Sequence, residues 1–180
     1  RVVVASLLSL LHPVPDPEEL ARSLLVLAVG EQLEARHLLK RLVDAGYETA
    51  LFGKWHCGWL PWHSPLRSGF QTFFGNLDGA MDYFEHIGTL GQADLYDGET
   101  PVERAGYYTD LISERAADFV AADREAPFYL QLNYTAPHWP WEGPDDEGES
   151  KRIRDIFHRD GGSQRTYAAM VQNVNHDDAA

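Results

Sequence analysis

The chain has 180 residues, 44% hydrophobic and 12% aromatic, with 15 basic and 28 acidic side chains for a formal charge of −13. That is enough apolar material for one domain with a real core, which excludes a tail or linker. Residues 1–90 hold 7 basic and 10 acidic groups and residues 91–180 hold 8 and 18; without a basic face, no nucleic-acid partner is expected.

The apolar runs Val2 to Leu11 and Leu24 to Val29 fall well short of the roughly 20 residues that cross a bilayer, so no membrane span is expected. The run after Arg1 has the apolar character of a signal-peptide core. It lacks an initiating Met and a small-residue cleavage site before Pro13, which argues against that assignment. The single cysteine, Cys57, excludes an internal disulfide.

Asp16-Pro17-Glu18-Glu19 has the composition of a helix start, and Gly30 that of its stop. Leu33, Leu38, Leu39, Leu42 and Val43 recur on one face of a second helix. Lys40 and Arg41 suit its C-terminal dipole and Gly46 its cap. Tyr47 to Gly53 is a short buried strand. From Lys54 to about Pro101 periodicity is lost, and short strands or turns are expected around Phe70 to Phe74 and Asp82 to His86.

Thr109-Asp110 is expected to cap a third helix, with Leu111, Ile112, Arg115, Ala116, Phe119 and Val120 as its stripe to about Ala122. Pro127 starts a strand over Phe128 to Asn133. The acidic segment 142–151 is expected to be a solvated loop; its acids do not alternate as in an EF-hand. A last helix runs from Gln164 to Val174. Helices alternating with apolar strands indicate an α/β domain with a largely parallel sheet and flanking helices.

Ligands of such sheets gather at the carboxyl ends of the strands. Topology therefore places Lys54 and His56, after the first strand, on the same edge as His138, after the Phe128 to Asn133 strand. A lysine is a compact positive charge for a tetrahedral oxyanion, and a histidine holds or transfers a proton near neutral pH. The trio suits cleavage of a sulfate or phosphate ester. Trp55, Trp59, Trp62, Trp139 and Trp141 are expected to pack the rim rather than stack sugars. His63, His86 and His158 are too scattered for a zinc site. Asp78, Asp82 and Glu85 are candidates for substrate contact.

The stretch Ala45-Gly46-Tyr47 to Gly53-Lys54-Trp55-His56-Cys57-Gly58 resembles the Ala-Gly-Tyr…Gly-Lys-Trp-His-x-Gly signature of the sulfatase family. Gly69-Phe70 to Phe73-Phe74-Gly75, Tyr108-Thr109-Asp110 to Phe119-Val120, Pro127-Phe128-Tyr129-Leu130 to Ala136-Pro137-His138-Trp139-Pro140 and Tyr167-Ala168-Ala169-Met170-Val171 are similar to further family segments in the same order. The resemblance is clearest over residues 38–174, and all 180 residues are expected to be part of one sulfatase-like catalytic domain, an internal fragment of it.

The resemblance implies an alkaline-phosphatase-like α/β fold and hydrolysis of sulfate monoesters, with a sulfated small molecule or glycan as substrate. It implies Lys54 on the sulfate, His56 orienting the nucleophile and assisting breakdown of the intermediate, and His138 beside the leaving oxygen. It also implies calcium and a formylglycine made from a Cys-x-Pro-Ser-Arg motif. Neither the family's calcium ligands nor that motif has a counterpart here, since Cys57 is followed by Gly58-Trp59-Leu60. Cys57 is expected to be a small buried hydrophobe. Ser6 to Pro13 weakly resembles the helix after the family's nucleophile. The chain alone is therefore expected not to turn over. Two other readings stay open: a phosphonate or phosphate monoester hydrolase of the same superfamily, and a non-catalytic anion- or glycan-binding module.

Overall fold

The computed structural model of the chain describes residues 8–12, 32–153, 156 and 162–177. The helix expected between Asp16 and Gly30 lies outside them. In chain order the elements are β1 (Leu8–His12), α1 (Gln32–Asp44), β2 (Glu48–Gly53), a 3-10 turn (Leu66–Ser68) and β3 (Thr72–Gly75). They continue with β4 (Tyr96–Asp97), β5 (Thr100–Pro101), α2 (Tyr108–Ala121), β6 (Phe128–Asn133), α3 (Glu147–Ile153) and α4 (Gln164–Asp177).

These strands form one sheet in the order β1-β6-β2-β3-β4-β5. Its centre is parallel, as expected: β2 pairs with β6 from Glu48↔Phe128 to Gly53↔Asn133 and with β3 from Ala50↔Thr72 to Phe52↔Phe74. Its edges are antiparallel, through β1 on β6 and through β4 and β5 beyond β3. Within the segment expected to resemble a helix, Ser6 to Pro13, the described residues Leu8–His12 form strand β1 instead. Its apolar residues lie in register with the central strand β6, where an extended chain satisfies backbone groups that a helix would leave open.

Both faces of the sheet are covered, which explains why residues 50–52 of β2 are consecutively apolar rather than alternating. Ala50, Phe52, Phe74, Leu130 and Leu132 pack beneath Tyr108, Ile112 and Ala116 of α2 and Met170 of α4. The alternate residues Leu51, Phe73 and Tyr129 pack with Leu39 and Leu42 of α1. Gly46, at φ +87°, ends α1 as its composition requires, and Asn173 of α4 donates to Asp110 of α2 at 2.9 Å.

Several expectations are corrected. Helix α2 begins at Tyr108 with Tyr107 as its cap residue, and no side chain caps it. Thr109 is instead buried in the first turn, while Val120 of the expected stripe is exposed. The expectation of short strands or turns is met: Thr72–Gly75 is a strand, and Asp82 to His86 is a turn region closed by the isolated bridges Met81↔Gly88 and Ile87↔Ala93. The segment 142–151 is not a solvated loop. Glu142 and Ser150 are buried and α3 occupies its second half. The last helix runs three residues past Val174, to Asp177.

Candidate functional site

Because β2, β3 and β6 are parallel, Gly53, Gly75 and Asn133 end them on one edge. Glycine is required at Gly53: its φ is +105°, and a Cβ there would stand 2.0 Å from the Asn133 carbonyl oxygen. The close approach lets the Lys54 N–H donate to the Asn133 carbonyl at 2.8 Å. The Asn133 side-chain amide returns a bond to the Lys54 carbonyl at 3.0 Å. On the other side, the Trp55 N–H donates to the Asn76 carbonyl at 2.9 Å and the His56 N–H to the Leu77 carbonyl at 3.2 Å. Residues 54–56 are thus held between the strand ends of β6 and β3.

A buried knot fixes this frame from behind. The Tyr108 hydroxyl accepts from the Asn76 N–H at 3.1 Å and donates to the Asn76 side-chain oxygen at 2.8 Å, which also accepts from Thr135 at 3.3 Å. Tyr83 donates its hydroxyl to the His138 carbonyl at 3.0 Å, and its N–H goes to the Glu142 carboxylate at 2.7 Å. Asp82, a candidate for substrate contact, is instead buried, and accepts from the Phe84 and Glu85 N–H groups and from the Ser150 hydroxyl.

Lys54, Trp55 and His56 line one cleft of about 430 Å³ together with residues 133–138, including His138. The three residues expected from sequence therefore come together. Burial lowers the Lys54 ammonium from its ordinary value, and the Asp78 carboxylate opposes that. His56 adopts φ +51°, a left-handed conformation uncommon outside glycine that tends to mark functional positions. The ring nitrogen Nδ1 of His138 lies 2.6 Å from the Trp139 carbonyl oxygen. A carbonyl only accepts, so Nδ1 carries the proton and Nε2 is left for a ligand.

Sequence reasoning missed Asn76, Gly79 and Asn133. Asn133 ends β6, whereas Asn76 and Gly79 follow the end of β3 and reach the site through the parallel pairing of β3 with β2. Of the tryptophans, Trp55 is half-buried against Phe70 and bonded to the His63 carbonyl at 2.7 Å. Trp141 packs edge-on to Tyr167 at 5.5 Å although 38% exposed, whereas Trp62 is 74% exposed, so the rim-packing expectation fails for Trp62. His86 is buried and His63 exposed, while His158 lies outside the described residues. Cys57 is half-buried rather than buried.

The Sulfatase family profile matches residues 6–176. The chain belongs to the sulfatase family. Arylsulfatase J of Mus musculus is 32% identical over 149 residues, covering 77% of this chain and 24% of that protein. An arylsulfatase of Klebsiella aerogenes is 31% identical over 117 residues, covering 61% and 25%. The crystal structure of Ps i-CgsB in complex with k-i-k-neocarrahexaose matches with a TM-score of 0.60 at 28% identity, over 78% of this chain and 34% of that one. The fold is thus alkaline-phosphatase-like, with its parallel centre and flanking helices. The chain spans about a quarter of the length of these curated relatives.

Sulfatases generally use calcium and formylglycine. Among the described residues no group of three or more His, Cys, Asp or Glu side chains could hold a metal ion. Cys57 stands in the Gly-Lys-Trp-His-x-Gly segment and not in a nucleophile motif. The residues described do not fit either group. Also among the described residues, no helix is long and apolar enough to cross a membrane.

Proposed function

We propose that this chain supplies the sulfate-facing part of a sulfatase catalytic site that hydrolyses sulfate monoesters in the complete protein. The observation that carries the reading is the convergence of Lys54, His56 and His138 on one cleft. In it the Lys54 ammonium binds nonbridging oxygens of the sulfate, where positive donors stabilise the charge of the transferring group. His138 presents Nε2 to the leaving oxygen and, when protonated, supplies the proton that oxygen needs. His56 orients the attacking group. The substrate class is a sulfated small molecule or glycan. Its support is the sulfatase character of the relatives and the sugar ligand named for the matched Ps i-CgsB structure.

Hydrolysis of an aryl sulfate by the full-length protein tests the reading. Lys54→Ala and His138→Ala are each expected to cut kcat/KM by at least about 100-fold with the fold intact, in line with loss of an oxyanion donor or a general acid. Preserved activity in Lys54→Ala refutes the assignment. The 180-residue chain alone is expected to bind without turnover; Lys54-dependent hydrolysis by it would overturn that expectation.

A further inference from the structure

The cleft is lined by one ammonium group and two imidazoles, yet a carboxylate sits just behind it. Asp78 follows the Asn76-Leu77 backbone that bonds Trp55 and His56. Its carboxylate accepts the Gly79 N–H at 2.6 Å and, through its other oxygen, the Thr89 N–H at 2.8 Å and the Thr89 hydroxyl. Gly79 in turn abuts His56: a Cβ on it would lie 2.5 Å from the imidazole Nε2. Chaining these contacts through ordinary covalent geometry puts the carboxylate within about 8 Å of the His56 ring. The Leu77 and Asp78 N–H groups are both held by the buried Asp94 carboxylate, at 3.1 and 2.9 Å, so the segment is fixed at both ends.

We propose that Asp78 is a specificity-determining residue that makes the cleft select monoanionic sulfate esters over dianionic phosphate esters. The inference rests on the anion-site reading above. A sulfate monoester carries one negative charge near neutral pH, whereas a phosphate monoester, with its second pKa near 6, carries close to two. With Asp78 ionised, its charge offsets that of Lys54, so this part of the site is less positive toward a dianion than Lys54 alone would make it. Burial raises the Asp78 carboxyl, but the bonds from Thr89, Gly79 and Gln92 outweigh it and hold the group below its ordinary value. The same carboxylate helps to keep Lys54 protonated against desolvation. For a ligand seated against the His56 ring, a second charge about 8 Å from the carboxylate is disfavoured roughly three- to thirtyfold, for effective dielectric constants between water and a protein surface.

Calorimetric binding of phenyl sulfate and phenyl phosphate to the protein at pH 7.5 tests this without requiring turnover. The wild type is expected to prefer phenyl sulfate, and Asp78→Asn to shift the affinity ratio toward phenyl phosphate by roughly three- to thirtyfold. Asp78→Glu, which keeps the charge, is expected to keep most of the preference. Thr89→Val removes a hydroxyl bond but leaves the carboxylate, and is expected to keep the wild-type ratio. If Asp78→Asn weakens both ligands equally, or if Thr89→Val shifts the ratio as much, Asp78 is only a structural clamp and the proposal falls. If the wild type binds neither ligand, the anion site itself is refuted and the proposal with it.

Discussion

Replacing Gly53 by alanine tests how the cleft is built. The residue joins β2 to Lys54 at φ +105°, and its Cβ would meet the Asn133 carbonyl oxygen at 2.0 Å and the carbonyl carbon at 2.6 Å. Those atoms are backbone of the neighbouring strand and cannot rotate away. The left-handed conformation costs about 1–2 kcal/mol for a residue with a Cβ. Relief of the contact requires the strand ends to part by more than about 1 Å, which stretches the 2.8 Å Lys54–Asn133 hydrogen bond beyond bonding length. Overpacking and the lost bond add about 2–3 kcal/mol, for a total of about 3–5 kcal/mol. Gly46→Ala is the control: φ is +87°, but no atom lies within 4 Å of its Cβ, so only the conformational cost of about 1–2 kcal/mol applies. Urea unfolding followed by tryptophan fluorescence should show a much lower midpoint for Gly53→Ala than for Gly46→Ala at similar slope. Phenyl sulfate binding should fall only in the former. Midpoints that agree to within the equivalent of about 1 kcal/mol would refute this account of the strand junction.

Three other outcomes are expected. Tyr108→Phe removes the two hydrogen bonds that the Tyr108 hydroxyl makes with the buried Asn76 and should cost about 2–3 kcal/mol in the same assay, whereas a loss under about 0.5 kcal/mol would contradict the knot. Burial raises the Asp94 carboxyl to about 6, so the folded state holds its proton more tightly than the unfolded state. Its contribution to stability is therefore greatest below the unfolded pKa near 4 and declines by about 3 kcal/mol as pH rises to about 6; the difference between wild type and Asp94→Asn across pH 4 to 7 should show that slope. Ser150→Ala removes the 2.7 Å bond to Asp82 and should cost about 1–2 kcal/mol with faster amide exchange in α3, whereas Lys151→Ala on the exposed face should cost under about 0.5 kcal/mol.

Much of the site was legible because its determinants are local. The Gly46 stop, the apolar run before Gly53 and Pro127 before Phe128 mark where strands begin and end. Parallel pairing then carries Lys54, His56 and His138 to one edge. Asn76 and Gly79 were not legible because nothing near them in sequence says that their backbone flanks Trp55 and His56. The acidic segment misled for a related reason: its charge composition suits solvent, but Glu142 is consumed by the Tyr83 N–H and Ser150 by Asp82.

The sequence by itself determined the α/β alternation, the strand that precedes Lys54, the strand that precedes His138 and the family to which both motifs point. These follow from hydrophobic period and from glycine and proline punctuation, which act over a few residues. Only the tertiary structure decided that β1 is an antiparallel strand, that Glu142 and Ser150 are interior, and that Gly79 abuts the His56 ring. Those outcomes depend on partners distant in sequence; for the two interior polar groups they lie 59 and 68 residues away, as in Tyr83 with Glu142 and Asp82 with Ser150. Such pairs exist only once the sheet has brought distant segments together, and a buried polar group is tolerated only where its partner has arrived.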